Sequence, residues 1–154
     1  MFGHKVMLTT GASGLLLTLQ VLDGNPKDST LVPDTLSKLT ELTGKAPEAA
    51  AFDGCFASKE NRDIAKAAGV VELTFSKNGS LDLASLVSSA AVHKALLKFR
   101  AGVEGCISFL KRIFGWSRVL DRGQETFASA VHLAGLAYNL TLLARINLAK
   151  QPCG

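Results

Sequence analysis

The chain lacks several features that identify common classes of small protein. Its three cysteines are far apart and form no CxxC or zinc-binding spacing, so we expect a reducing cytoplasmic location. Charged residues are only 19% of the chain while hydrophobic residues are 47%, which excludes a disordered tail. The segment after Met1 is short and broken by turn residues, so no signal peptide is visible. A chain of 154 residues suits one compact domain, and we expect residues 1–154 to form it.

One long stretch without charge raises the question of a membrane. Residues 126–144 contain no Lys, Arg, Asp or Glu, and ~20 such residues are enough to span a bilayer. However, the stretch is rich in alanine and carries His132, Tyr138 and Asn139. We therefore interpret it as a helix packed against a sheet, with a membrane span as the weaker alternative, and expect no membrane partner.

The positive charge is concentrated in one segment. The net charge is +4 and the pI is 9.1, which favours an anionic partner. Residues 94–122 hold seven basic and two acidic residues, so this segment is +5 and the rest of the chain is −1. Such a segment is either a solvated basic face or a surface that contacts a phosphate backbone.

The order of β-rich, apolar and turn-rich segments predicts one α/β domain entered by an antiparallel hairpin. Ser58 is expected to cap a helix, Gly44 to end one, and Asp28 or Ser29 to cap the first helix. The strand–helix–strand order of residues 48–76 implies a parallel crossover. The predicted elements are strands 4–10 and 15–22, a helix ending near Leu42, strand 48–54, helix 58–69, strand 70–76, and helices 81–98, 99–114 and 124–149.

An ionic ridge runs along the predicted helix 99–114. At 100° per residue, Arg100, Glu104 and Lys111 lie within about 40° of one another. The adjoining face is apolar and is expected to pack on the sheet; its members are Phe99, Val103, Cys106, Leu110 and Ile113. A simple alternative is an i,i+4 salt bridge between Arg100 and Glu104, which contributes only ~0.2–0.5 kcal/mol.

Asp53 ends a buried apolar run, and this position points to a ligand site. In α/β folds, ligands bind at the carboxyl ends of parallel strands. A helix crossing such a sheet can bring Glu104 to the same edge as Asp53. Two close carboxylates repel each other unless a cation lies between them, and Mg²⁺ suits carboxylate, water and phosphate oxygens. The alternative for Asp53 is a turn residue that caps the next segment of the chain.

Several segments, in order, resemble insertion-sequence DDE transposases, which belong to the ribonuclease-H-like superfamily. The spacing R-x3-E-x6-K of Arg100, Glu104 and Lys111 resembles the signature around the final acid of that family. The family has a tyrosine three residues before the arginine, where this chain has Leu97. The other similar segments are "FGHKVMLTTGASGLLLTLQVLDGNPKDSTL", "FDGCFASKENRDIAKAAGV", "FRAGVEGCISFLKRIFGWSR" and "NLTLLAR".

The resemblance implies a fold and a chemistry. The fold would be a ribonuclease-H-like mixed sheet flanked by helices, lacking the first, central strand. Asp53 and Glu104 would bind catalytic Mg²⁺ or Mn²⁺. The activity would be cleavage of a DNA strand by water and then strand transfer by a 3′-hydroxyl at transposon ends. The expected DNA-contacting residues are Arg100 and Lys111, with Arg112 and Arg118 as further candidates in the basic segment.

One acid of the family is missing from this chain. No Asp or Glu occurs between Met1 and Leu22, where the hairpin is expected, and Asp23 and Asp28 resemble the later loop. We therefore expect a single truncated DDE transposase catalytic-type domain, the C-terminal part of a transposase, with little or no catalysis on its own. The alternative is a non-catalytic DNA-binding or regulatory module that forms a homo-oligomer or associates with a full-length transposase.

Overall fold

The structure, a computed structural model, describes residues 5–115 and 123–150 as a mixed α/β protein. The described residues fall into two compact units, one within residues 24–102 and one formed from residues 1–23 and 103–154. The elements in chain order are β1 Lys5–Thr10, β2 Leu16–Leu22, α1 Val32–Thr43, β3 Ala49–Phe52, α2 Lys59–Ala67, β4 Glu72–Phe75, α3 Ala90–Ile113 and α4 Gln124–Lys150. The α/β class predicted from the sequence is confirmed, while the single domain stays a prediction.

The predicted hairpin is present in the unit that contains both ends of the chain. β1 and β2 pair antiparallel, from Lys5 opposite Leu22 to Thr9 opposite Thr18, and the register shifts at Thr9/Thr10. The turn closes with the N–H of Gly14 donating to the carbonyl of Gly11 at 2.9 Å. Gly14 has a φ of 82°, which favours glycine because a Cβ is unfavourable in the left-handed region.

α4 packs against β2 of the hairpin, as expected for a helix on a sheet. Its buried face consists of Phe127, Val131, Ala134 and Gly135. Asn139 completes the contact: its Oδ1 accepts from the backbone N–H of Leu16, and its Nδ2 donates to the carbonyl of Leu16, both at 2.8 Å. Among the described residues, α4 is the one helix that is long and apolar enough to cross a membrane.

The unit of residues 24–102 contains the predicted parallel crossover. β3 and β4 pair in parallel from Ala49 opposite Glu72 to Phe52 opposite Phe75, and α2 connects them. Ser58 caps α2 as expected, because its Oγ accepts from the N–H of Asn61 at 3.0 Å. The core of this unit lies around the two strands; it includes Val32, Leu36, Phe52, Leu73, Phe75 and Leu86.

Two predictions about helix ends are wrong. Neither Asp28 nor Ser29 caps α1, because both belong to a 3-10 turn that precedes the helix, and α1 begins after Leu31 without a side-chain cap. Helices 81–98 and 99–114 are also wrong: α3 is one helix from Ala90 to Ile113, and residues 81–89 contain only the 3-10 turn Leu83–Ser85.

Pairing with β4 explains why residues 81–89 are not an α-helix. The carbonyl of Leu86 accepts from the N–H of Leu73 at 3.0 Å and from Lys66 Nζ at 2.9 Å. Close by, the side-chain Oε2 of Glu72 accepts from the N–H of Ser88 at 2.8 Å. Because these groups satisfy one edge of β4, this segment is held along the strand and α3 begins only after it.

Candidate functional site

Asp53 lies directly after β3, at the carboxyl end of the parallel pair. Its Oδ1 accepts two hydrogen bonds, from the N–H of Gly54 at 2.6 Å and from Ser76 Oγ at 2.7 Å. It is the N-cap of the 3-10 turn Gly54–Phe56, so the capping role considered for it is confirmed. The side chain is 48% exposed. A capping carboxylate at a strand end is therefore both fixed in orientation and open to solvent.

Ser76 is the functional neighbour that sequence reasoning missed. It follows β4 as Asp53 follows β3, and its N–H donates to the carbonyl of Phe52 at 3.0 Å. Its hydroxyl also accepts from the N–H of Gly54 at 2.8 Å. The two strand endings, Phe52–Asp53 and Phe75–Ser76, carry the signal once the pairing register of the strands is known. In the parallel register that pairs Phe52 with Phe75, the residues that follow must be adjacent.

Gly54 makes this close approach possible. A Cβ at Gly54 would lie 2.9 Å from the Cβ of Lys77, 3.2 Å from its backbone nitrogen and 3.3 Å from Ser76 Oγ. The first carbon of the lysine side chain and its backbone cannot swing aside as a flexible side-chain end could. The chain therefore requires glycine after Asp53 to keep the ends of β3 and β4 in contact.

Arg100 on α3 forms an ion pair with Asp53. Its guanidinium Nη2 lies 3.2 Å from Asp53 Oδ2, and the arginine side chain is 22% exposed. Two turns earlier, α3 also contacts β4. There His93 Nδ1 and the hydroxyl of the buried Thr74 are 2.7 Å apart. Because residues seven apart lie on one side of a helix, His93 and Arg100 together hold α3 against the strand ends.

These contacts lower the pKa of the Asp53 carboxyl below its ordinary value of 3.8. The hydrogen bond from Ser76 is the largest cause, partial burial opposes it, and the Gly54 N–H and the charge of Arg100 add to the lowering. Asp53 is therefore a carboxylate at neutral pH, which is the protonation state that a hard cation or a cationic side chain requires.

The remaining predicted site residues lie further along the chain. Glu104, Lys111 and Arg112 are exposed on α3, and Arg118 lies outside the described residues. Asp53 and Glu104 belong to different compact units, so their convergence on one ion stays a prediction. Of the predicted apolar face of the helix, Cys106 and Leu110 are buried, as expected.

Ile113 was wrongly assigned to that buried face. It is 60% exposed and is the last residue of α3, so this end of the apolar face is not covered by the core.

The carboxylate of Asp53 could serve as one ligand of a hard divalent cation. Carboxylate oxygens are the ligands that Mg²⁺ prefers, and Asp53 offers an ionised, half-exposed one. Within residues 5–115 and 123–150, no three His, Cys, Asp or Glu side chains form a cluster that could hold a metal by themselves. Asp53 can thus supply one ligand, and a second acid has to come from elsewhere.

Comparison with known proteins identifies a family. A family model described as "Transposase DDE domain" matches residues 2–140, which include Asp53, Arg100 and Glu104. No curated protein and no solved structure matches the chain.

Proposed function

The chain belongs to the transposase DDE domain family, and on this premise we propose that it descends from an enzyme that cuts and joins DNA at transposon ends. Membership supports a transposase-related function in transposition and DNA recombination. The observation that carries the proposal is the match over residues 2–140 together with an ionised Asp53 at the end of a parallel strand.

We propose that the two sheets are parts of a ribonuclease-H-like mixed sheet. The order of elements supports this fold: an antiparallel hairpin, a helix, and a parallel β3–α2–β4 crossover with Asp53 after β3. In such a fold the catalytic acids come from strand ends and from a helix that crosses the sheet.

Asp53 and Glu104 would hold Mg²⁺ or Mn²⁺. When bound, the ions supply activation of a hydroxyl nucleophile and stabilisation of the leaving oxygen of the phosphodiester. Ser76 and Gly54 orient the Asp53 carboxylate, and their hydrogen bonds keep it ionised. The cationic side chains would bind the phosphates of the DNA backbone. These are Arg100, Lys111, Arg112 and Arg118.

The proposal assigns two acids to the site, Asp53 and Glu104, and no third. The family uses three acids, and residues 1–22, which precede the loop at Asp23, contain none. Two carboxylates bind divalent cations less tightly than three, and they neutralise less of the positive charge of those cations. We therefore propose that the chain by itself cuts DNA poorly or not at all, while it retains salt-sensitive affinity for the DNA backbone.

A cleavage assay tests this proposal. The chain is incubated with transposon-end DNA and Mg²⁺ or Mn²⁺, beside an Asp53→Ala variant, and binding is measured in parallel by gel shift at two salt concentrations. We expect a gel shift that weakens with salt and no metal-dependent cutting. Robust cutting that disappears in Asp53→Ala would contradict the incomplete site, and absence of any gel shift would contradict DNA binding.

The second candidate is a non-catalytic regulatory module that pairs with another copy or with a full-length transposase. One observation favours it: α4 carries four exposed leucines with a spacing of three, four and three residues, the repeat of a helix-pairing seam. These are Leu133, Leu136, Leu140 and Leu143. Between residues 126 and 144 the helix carries no charged side chain that would oppose self-association.

The two candidates differ in metal dependence and in mass. A regulatory module would bind DNA equally with and without Mg²⁺, and Glu104→Gln would leave that binding unchanged. Light scattering coupled to gel filtration would give a dimer mass for the chain and a monomer mass for Leu136→Glu/Leu140→Glu. A monomer at every concentration for both proteins would exclude pairing through α4.

We propose a cytoplasmic location, because transposase-family proteins are generally cytosolic and one face of α4 is covered by β2. Fractionation of expressing cells tests this: the chain should be recovered with the soluble fraction, and recovery only with detergent-extracted membranes would contradict it.

A further inference from the structure

We propose that Arg100 and a divalent cation compete for the same oxygen of Asp53, so that metal binding releases Arg100 toward a DNA phosphate. This inference rests on the proposed function, because it assigns Asp53 to metal binding. It adds a role for Arg100 before DNA is bound: the guanidinium neutralises the carboxylate in the metal-free protein.

The two oxygens of Asp53 have different surroundings. Oδ1 is held by the N–H of Gly54 at 2.6 Å and by the hydroxyl of Ser76 at 2.7 Å, both from the tightly joined strand ends. Oδ2 faces Arg100, with Nη2 at 3.2 Å. A ligand that replaces both hydrogen bonds at Oδ1 has to open the turn, whereas a ligand at Oδ2 has only to displace one long side chain.

The ion pair at Oδ2 is of the kind that a cation can displace. The side chains of Asp53 and Arg100 are 48% and 22% exposed, and ion pairs that solvent reaches are weak. Mg²⁺ binds carboxylate oxygens at about 2.0–2.1 Å, so a guanidinium left at its present distance would carry its charge within a few ångströms of the ion. Because like charges this close repel, each cation weakens the binding of the other at this oxygen.

The displaced arginine has a natural second ligand. A guanidinium binds phosphate through paired N–H donors in the geometry that it uses for carboxylates. The coupling is reciprocal: a cation on Asp53 would strengthen the contact of Arg100 with DNA, and DNA that captures Arg100 would strengthen cation binding by the same factor. If Arg100 acted only through its charge and stayed on Asp53, its removal would still tighten cation binding, but its guanidinium would not move when the cation binds.

Mn²⁺ binding to the full chain, followed by electron paramagnetic resonance, tests the competition. Four proteins are compared: wild type, Arg100→Gln, Lys98→Gln and Asp53→Asn. Lys98→Gln is the matched control, because it removes one positive charge from an exposed position on another face of the same helix. We expect Arg100→Gln to tighten Mn²⁺ binding about two- to fivefold relative to Lys98→Gln, the range set by a partly exposed ion pair.

The variants separate this inference from the proposed function. If Asp53→Asn weakens Mn²⁺ binding but Arg100→Gln behaves as Lys98→Gln, the competition is wrong while the metal role of Asp53 stands. If Asp53→Asn binds Mn²⁺ as the wild type does, the metal role itself fails, and the competition fails with it.

A measurement on the unmutated protein covers the case in which Arg100→Gln does not fold. The Nε–Hε signal of Arg100 is followed by NMR during a Mg²⁺ titration. We expect it to shift with the same midpoint as the Asp53 carboxyl carbon. An Arg100 signal that stays fixed while the Asp53 signal moves would overturn the competition.

Discussion

Gly54→Ala is the sharpest test of how the strand ends hold Asp53. The new methyl group would lie 2.9 Å from the Cβ of Lys77 and 3.2 Å from its backbone nitrogen, both closer than van der Waals contact. Because neither atom can move without the backbone after β4, the overlap is expected to cost about 1–3 kcal/mol of folding free energy. Alanine also restricts the unfolded chain, which returns about 0.4–1 kcal/mol. The net loss should centre on about 1.3 kcal/mol.

Urea unfolding followed by far-UV circular dichroism measures this loss as a lower midpoint at unchanged slope. Gly102→Ala is the matched control in the same compact unit, because a methyl group at this position of α3 would have nothing within 4 Å of it. Alanine in a helix interior stabilises by about 0.5–1 kcal/mol relative to glycine. The two substitutions should therefore move the midpoint in opposite directions. A Gly54→Ala midpoint equal to or above that of the wild type would refute the close approach of the strand ends.

Two further predictions concern single hydrogen-bonding side chains. Because the folded pKa of Asp53 is lowered, its contribution to stability is present above the ordinary value of 3.8 and is lost as the pH falls through the folded value. Carbon-13 NMR should give a higher pKa for Asp53 in Ser76→Ala, and an unchanged pKa there would contradict the role of the serine. Asn139→Ala leaves the N–H and carbonyl of Leu16 without their partner, so thermal or urea unfolding should show a loss of roughly 2 kcal/mol. Asn147→Ala, at an exposed position of the same helix, should change stability by less than about 0.5 kcal/mol.

Local chemistry was sufficient to predict most elements of the fold. The cap at Ser58, the left-handed glycine at Gly44 and the glycine-rich turn between β1 and β2 act within a few residues, so they are visible in the sequence. The helix predicted from residue 81 failed for the opposite reason. In that segment the backbone carbonyl of Leu86 accepts from the N–H of Leu73 in β4, and this pairing is between residues distant in the chain.

The same distinction applies to the site. The position of Asp53 after an apolar strand followed from composition, and the ionic ridge on α3 followed from helical periodicity. The hydrogen bond from Ser76 needed the register of two strands, which an apolar run of four residues does not specify. The i,i+4 pair of Arg100 with Glu104 stays a prediction, and the ion pair of Arg100 with Asp53 depends on how α3 packs against the strands.

Asn139 also limits how the hairpin can grow. Its amide occupies both polar groups of Leu16 on the outer side of β2, as a neighbouring strand would. Strand addition requires such groups to be open, so α4 blocks β2 as a template at this residue. Among the described residues, β1 pairs with β2 and with no other strand. A segment supplied by another polypeptide would thus not extend the sheet by pairing with Leu16.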